Sequence, residues 1–347
     1  MAQRLTEPTP VSELAEVPAG EWDALLDRLG LDDVYFRSAY LESARLLGQG
    51  DPAYLHLGGA SGDVVFPVLV REAPDGYSDV GTPMGYGGPL AGGSTPPIED
   101  FFEGYERWCR QRRVVATFAR FQPALANQRL AEGRWNLEHI GHSIGWRVGG
   151  RSPDEIVEGL DAHHRRVDRK ARRAGIEVTF EERPADLDGF VSLYEDTMRR
   201  RDASSFYFFP EAYWAQLTGP LGDVLVRADA LVDGETVASI VCFASPPLLH
   251  YHLGASSGRS QELGANHLLF VETAGWAAAH GFERFHLGGG VGGFEDSLYE
   301  FKRRFDPGGR LPAFLGKAVH DEDAYRELSD GAEVDYAGYF PAYRRSS

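Results

Sequence analysis

Residues 223–287, DVLVRADALVDGETVASIVCFASPPLLHYHLGASSGRSQELGANHLLFVETAGWAAAHGFERFHL, carry the pattern that decides the fold. Residues 223–232 are β-rich, Asp233-Gly234 is a hairpin turn signal, and residues 235–243 return as a second strand. Residues 248–253 form a third strand. After the stretch 254–264 the apolar residues change to helical spacing, with Leu268, Leu269, Val271, Ala274 and Trp276 running up to His280-Gly281. Residues 282–287 are strand again. Three strands, a helix and a strand give an α/β unit with a mixed sheet.

The first half of the chain repeats this order more faintly. Residues 53–57 and 64–70 make a hairpin around Ala60-Ser61-Gly62-Asp63, and a Gly- and Pro-rich loop, GTPMGYGGPLAGG, follows at 81–93. A helix is expected over 97–112 and a strand over 114–121. The same order twice points to a tandem duplication, with one domain at 1–150 and the other at 151–347. The turn chemistry of VGGRSPD, within the seam 146–154, marks the join.

Bulk properties frame these elements. A chain of 347 residues with 43% hydrophobic content suits two globular domains. No secretory leader is recognised at the N-terminus, and no apolar run is long enough to span a bilayer. Cys109 and Cys242 cannot make a disulfide framework. These features lead to the expectation of a cytoplasmic protein. The net charge of −17 argues against indiscriminate nucleic-acid binding, and DNA is not expected as a partner. One local cluster runs the other way. Arg165, Arg166, Arg169, Lys170, Arg172 and Arg173, opposed only by Asp168, recur at three- and four-residue spacing and form a cationic face on a helix. That face is a phosphate-binding stripe or a solvated surface.

Other motifs are weaker. Gly288, Gly290 and Gly293 satisfy G-x-G-x-x-G, but Asp306-Pro307-Gly308-Gly309 follows too soon for a dinucleotide-binding unit. His250 and His252 share a strand face, with His267, His280 and His286 not far away in sequence; no Cys or carboxylate completes a ligand set, so no metal is expected. No Gly-x-Ser-x-Gly elbow is present.

The strand–helix–strand order resembles the GNAT acyltransferase fold. In that fold a Gln/Arg-x-x-Gly-x-Gly/Ala turn ahead of the central helix cradles the pyrophosphate of coenzyme A. Residues 261–266, QELGAN, begin that way but end in Asn266, which implies a degraded coenzyme site. The second half also resembles the Fem family of aminoacyl-tRNA-dependent transferases in several segments taken in order. These are the basic RRVDRKARRAGIEV at 165–178, YEDTMRRRDASSFYFFPEAYW at 194–214 and LGGGVGGFEDSLYEFKRRF at 287–305. The first-domain loop with Thr82-Pro83 and Tyr86-Gly87-Gly88-Pro89 matches as well.

This resemblance implies tandem GNAT-like domains that move an amino acid from its tRNA ester to an amine. The acceptor is a peptidoglycan precursor or a small peptide-like metabolite, as in antibiotic biosynthesis. It also implies roles for particular residues. Lys302 would stabilise charge at the reacting centre. Arg201, Tyr207, Phe301, Tyr86 and Gln122 would meet the substrate, and Arg165, Arg166, Arg169, Lys170 and Arg173 would hold phosphates of tRNA or acceptor. No cofactor is implied beyond aminoacyl-tRNA as co-substrate, and Glu295 and Asp296 are the only candidates for a base. Peptidoglycan-directed members carry an acidic residue where Gln122 stands in Arg120-Phe121-Gln122-Pro123, which shifts the expectation toward a small metabolite. Two alternatives stand beside it. One is a conventional acyl-CoA N-acyltransferase using acetyl-CoA at 261–266, and the other is a non-catalytic protein that binds tRNA or a partner through the 165–173 face.

Overall fold

The computed structural model describes residues 13–345. Contacts within the chain separate two compact units, Met1–Glu138 with Phe314–Ser347, and His139–Ala313. The expected division at 1–150 and 151–347 therefore differs from the observed one. The C-terminal tail belongs to the first unit for identifiable reasons. Buried Asp79 receives Arg344 at 2.6 Å as well as Arg71 at 2.5 Å. Lys317, only 3% exposed, donates to Glu138 at 2.6 Å and to the Tyr336 carbonyl.

In the first unit, the hairpin Asp51–Gly59/Gly62–Glu72 pairs in register from Asp51↔Val70 to Gly59↔Gly62. Ala15–Glu16 adds to its outer side, Ser78–Gly81 and Leu90–Gly93 add to the other strand, and Val114–Arg120 continues the sheet in parallel with Ser78–Gly81. Residues Leu315–Val319 pair antiparallel with Val114–Arg120. Helix Ile98–Gln111 turns Phe101, Phe102, Tyr105 and Trp108 into this unit's core, at the three- and four-residue spacing of one helix face.

The second unit contains the order read from the sequence. Leu225–Val232, Glu235–Ser245 and Leu248–Ser256 form an antiparallel meander, helix Ala265–Ala279 follows, and Arg284–Gly288 returns. Glu177–Glu182 pairs with Leu225–Val232, and Asn136–Arg147 pairs with Arg284–Gly288. Helix Ala265–Ala279 is apolar nearly all round because it is enclosed; Leu268, Leu269, Phe270, Val271 and Ala274 are all buried.

The join between Leu248–Ser256 and Arg284–Gly288 is short. It is parallel and lasts only three residue pairs, ending at His250↔His286. Beyond that point Tyr251 and Gly288 leave the ladder, and the backbone past the histidines is free to bond elsewhere. Helix Ser297–Arg303 fills this place. Its N-cap is Asp296, whose side chain accepts the Tyr299 N–H at 2.9 Å.

Candidate functional site

Lys302 lies on the same face of helix Ser297–Arg303 as Tyr299, three residues earlier, and is 5% exposed. Tyr299 and Phe305 anchor the segment in the core, and Phe305 stacks on Trp146 at 5.0 Å and on Phe270 at 5.7 Å. The lysine is thereby turned inward. Its Nζ donates to the Gly289 carbonyl at 2.7 Å and sits 5.2 Å from the centre of the Tyr251 ring. Burial lowers its pKa from 10.5 to about 7, and Asp296 opposes that fall. An ammonium held by one carbonyl and one ring face keeps donor capacity for a further acceptor.

The loop that presents Gly289 is closely folded. A side chain at Gly290 would collide with the Phe294 carbonyl and the Asp296 carboxylate, so glycine is required there. On the far side of the ladder, His250 Nδ1 meets His286 Nδ1 at 3.2 Å and His286 Nε2 meets Ser143 Oγ at 3.0 Å. Burial first, then His250 and Lys302, hold His286 well below the usual imidazole range. His252 bonds Tyr213 at 2.6 Å and burial lowers it to about 3. His252 and His286 are thereby neutral members of the fold. Among the described residues no group of three or more His, Cys, Asp or Glu could hold a metal ion.

Arg201 follows helix Asp188–Arg200 and is exposed. The helix end is pinned to strand Leu248–Ser256: Thr197 Oγ1 donates to the Ser256 carbonyl at 2.9 Å and accepts the Ser256 N–H at 2.9 Å. This brings Arg201 close enough to Tyr251 to lower its pKa against burial, which raises it to about 12. Tyr251 and Tyr207 both act on Tyr194, whose hydroxyl burial pushes above the usual range. Lys302, Tyr251, Tyr207 and Arg201 thus form one neighbourhood in the second unit. Phe301 belongs to its wall, packing edge-on to Phe270 at 5.8 Å and Phe305 at 5.1 Å.

The basic helix Ala162–Arg173 is less uniform than its spacing suggests. Asp161 caps it by accepting the His164 N–H at 2.7 Å. Arg165 turns back to the carbonyls of Glu158 and Leu160, so it is partly buried and spent on the fold. Arg172 pairs with Asp168 at 3.0 Å and with Glu272 at 2.6 Å. Arg166, exposed, contacts His163 at 3.0 Å, while exposed Arg169 and Arg173 have no ion-pair partner among the described residues. Lys170 donates to the Glu262 carbonyl at 2.6 Å. The single cationic face is therefore cut to Arg166, Arg169, Arg173 and the charge of Lys170.

That last contact bears on the 261–266 turn. Residues Gly258–Leu263 form a short helix ended by Gly264 in the left-handed region at φ 77°, and the central helix starts at the next residue. A side chain at Gly264 would meet Val167 at 3.0 Å and Ala171 at 3.7 Å, both on the basic helix. His267, in the first turn of the central helix, packs edge-on to His164 at 4.5 Å and stacks on Phe305 at 5.1 Å. The basic helix packs against the turn at Gly264 and at the Glu262 carbonyl, while the Gln261 and Glu262 side of the turn stays exposed.

In the first unit Gln122 departs from the substrate-facing role expected of it. It is fully buried; its Nε2 donates to Asp33 at 3.2 Å, its Oε1 accepts from Ala124 N–H at 3.1 Å, and its own N–H donates to Asn127 at 2.9 Å. Its amide is occupied within the fold, and Asp33 supplies a carboxylate beside it. Tyr86 is partly buried, edge-on to Tyr35 at 5.1 Å, and burial raises it to about 12. Sequence reading also missed a buried chain, Thr117 Oγ1 to His320 Nε2 at 2.8 Å and His320 Nδ1 to Glu106 at 2.9 Å. It has the connectivity of a hydrolytic triad, but Thr117 is fully buried and also bonded to Tyr105 at 2.7 Å, so it serves the core.

Several known proteins are similar to this chain. Residues 161–303, within the second unit, match the family model described as an acetyltransferase (GNAT) domain. The crystal structure of FemX aligns with a TM-score of 0.66 at 14% identity, over 91% of this chain and 99% of that one. The chain has the Fem-like tandem GNAT fold. The C-terminal domain of a putative lysylphosphatidylglycerol synthetase from Agrobacterium fabrum aligns at TM-score 0.54 and 15% identity, covering 88% of this chain and 92% of that one. A tandem GNAT protein from the clavulanic acid biosynthesis pathway aligns at 0.52 and 11%, covering 89% and 98%. No curated protein matches the sequence. This fold and the acetyltransferase-like domain support a transferase. Among the described residues no helix is long and apolar enough to cross a membrane.

Proposed function

We propose that the protein transfers an amino acid from its tRNA ester to the amine of a small peptide-like metabolite or peptidoglycan precursor, forming an amide. The observation that carries this reading is Lys302: a buried ammonium with one carbonyl and one aromatic face as partners. Attack of an amine on an ester carbonyl pushes an electron pair onto oxygen. A fixed cation in a water-poor place stabilises that charge without reorganising. Because the ester is activated beforehand, the proposed step uses no ATP and no metal. Arg166, Arg169 and Arg173 are the exposed cations offered to phosphates of the tRNA, and Arg201 is offered to the acceptor beside Tyr251 and Tyr207.

The rival reading, acyl transfer from coenzyme A, draws on the acetyltransferase domain match. It needs an open turn at 261–266, and the contacts of Val167, Ala171 and Lys170 with that turn weigh against it. The deciding experiment incubates the full chain with charged total tRNA and a cell extract, with and without RNase, and identifies amide products by mass spectrometry. Product formation that RNase abolishes supports the proposal. Product formation that follows acetyl-CoA and ignores RNase overturns it. Lys302→Ala is expected to lower turnover about 10²–10³-fold, the scale on which loss of one oxyanion donor is felt.

A further inference from the structure

The turn that follows strand Asn136–Arg147 and the end of the central helix border a cavity that has no part in the site around Lys302. Its volume is about 450 Å³, and it is lined by Arg147, Gly149, Gly150, Gly281, Glu283 and Arg284, all within the second unit. That size lies in the range of small-ligand clefts. The backbone fixes its walls. The Glu283 carbonyl accepts the N–H groups of both Val148 and Gly149 at 3.0 Å, which ties the turn to the segment leading into strand Arg284–Gly288. A Cβ at Gly150 or at Gly281 would meet nothing within 4 Å, so both glycines border open space.

Two arginines meet there. Arg147 and Arg284 are direct cross-strand partners in the antiparallel pairing of their strands, and like charges placed opposite each other repel. One is answered and the other is not. Arg147 gives Nε and Nη2 to Asp306 at 2.9 and 2.7 Å, a forked pair that leaves Nη1 over. Arg284 has one long bond, Nη1 to the Gly145 carbonyl at 3.3 Å, and no ion-pair partner among the described residues. Its guanidinium therefore keeps most of its donors and its whole charge. The N–H of exposed Gly150 also has no partner among the described residues. Against these donors stands one acid in the lining, exposed Glu283. With Asp306 offsetting Arg147 and Glu283 beside Arg284, the cavity suits an anion of one charge and disfavours one of two.

We infer that Arg284, with Arg147 Nη1 and the Gly150 N–H, seats one phosphodiester of an RNA backbone; the inference rests on the tRNA-dependent reading of the function. A phosphodiester carries one negative charge on two unesterified oxygens, which a guanidinium takes as a fork. Such a contact holds the strand and reads no base. Its place separates it from the basic helix. The basic helix meets the start of the central helix at Gly264, and Gly281 lies just past the other end. The 15 residues of Ala265–Ala279 put roughly 22 Å between the two places. One phosphate cannot bridge that span, so the two places take separate phosphates of one bound RNA. Together they set the direction in which it lies on the second unit. Glu283 makes the seat selective, because it repels the second charge of a terminal phosphate.

Two variants of the full chain test this by moving affinity in opposite directions: Arg284→Gln and Glu283→Gln. Uncharged total tRNA is bound to each on filters across a salt series. Arg284→Gln should weaken binding about 3- to 10-fold and lower the slope of log affinity against log salt by about 0.7. Glu283→Gln should tighten binding about 2-fold. Both should keep the wild-type melting temperature. Unchanged affinity and slope in Arg284→Gln overturns the inference; a loss in Arg169→Glu with Arg173→Glu at the same time leaves the transfer reading standing. Weakening by Glu283→Gln as well as Arg284→Gln marks a disturbed fold in place of a charged seat and also overturns it. A wild-type chain that binds no tRNA overturns both readings. Nitrogen-15 spectra of the arginine side chains give a readout without RNA. The Nε–H signal that Arg284→Gln removes should shift with dimethyl phosphate and stay still with sodium acetate at equal ionic strength. No shift, or a shift with acetate alone, refutes the phosphodiester.

Discussion

Replacing Lys302 with methionine should make this protein more stable at neutral pH while removing its proposed activity. The fall of the lysine pKa from 10.5 to about 7 has burial as its first cause, so the charged form is disfavoured in the folded chain. At about 1.4 kcal/mol per pH unit that fall is worth on the order of 4–5 kcal/mol between the two protonation states. The sign is set by proton binding. Below about pH 7 both folded and unfolded chains hold the proton and the full penalty applies. Between about pH 7 and 10.5 only the unfolded chain holds it, so stability rises with pH across that window. Methionine fills a similar volume with no charge and has no such slope. Urea denaturation at pH 7 and pH 9.5, monitoring the transition in which residues 139–313 unfold, measures both effects. Wild type should gain about 3 kcal/mol more than Lys302→Met over that interval, and the variant should be more stable at pH 7 by roughly 1–3 kcal/mol. Groups that titrate elsewhere cancel in the comparison. A variant less stable at pH 7 by more than about 2 kcal/mol, with the wild-type pH slope, would show the ammonium to be a favourable structural charge and refute the reasoning.

Turnover itself should fall as pH rises through about 7, because the oxyanion needs the protonated lysine; a flat kcat from pH 6 to 9 would exclude that role. Arg169→Glu with Arg173→Glu should weaken tRNA binding and reduce the slope of log affinity against log salt by about 0.7 for each phosphate no longer neutralised, measured by filter binding across a salt series. An unchanged slope returns those arginines to solvent. Lys317→Ala leaves Glu138 and the Tyr336 carbonyl without their cation and should cost about 3 kcal/mol in the first unit, read by calorimetry. Gly264→Ala combines a left-handed backbone at φ 77° with a 3.0 Å approach to Val167, and should lower stability by about 1–2 kcal/mol in the same measurement.

What the sequence disclosed depended on how far apart the interacting residues lie along the chain. The second-unit strands announced themselves through local signals, above all Asp233-Gly234 and the change of period after residue 264. Lys302 was legible through the resemblance of residues 287–305 to the Fem-family segment, and in the structure it shares the inward helix face of Tyr299, three residues earlier. The His142–Glu295 pair, 2.7 Å apart, was not, since 153 residues separate its members and His142 lies in no motif read from the sequence. Gln122 and Asp33, 89 residues apart, are a similar case: the amide in place of a carboxylate was visible and the buried Asp33 that accepts from it was not. The basic helix misled in a different way. Periodicity places charges on a face, but the carbonyls of Glu158 and Leu160, and the acids Asp168 and Glu272, claim Arg165 and Arg172 through contacts that periodicity cannot express.

The anchor of Lys302 is a peptide oxygen, not a side chain. Every amino acid placed at 289 would bring that oxygen with it, so no point substitution can delete the anchor as such. What can be lost is the path of the backbone, and that is governed by Gly290, where any larger residue strikes Phe294 and Asp296. Lys302 thus takes its anchor from the main chain itself, and the course of that main chain depends on the emptiness of position 290.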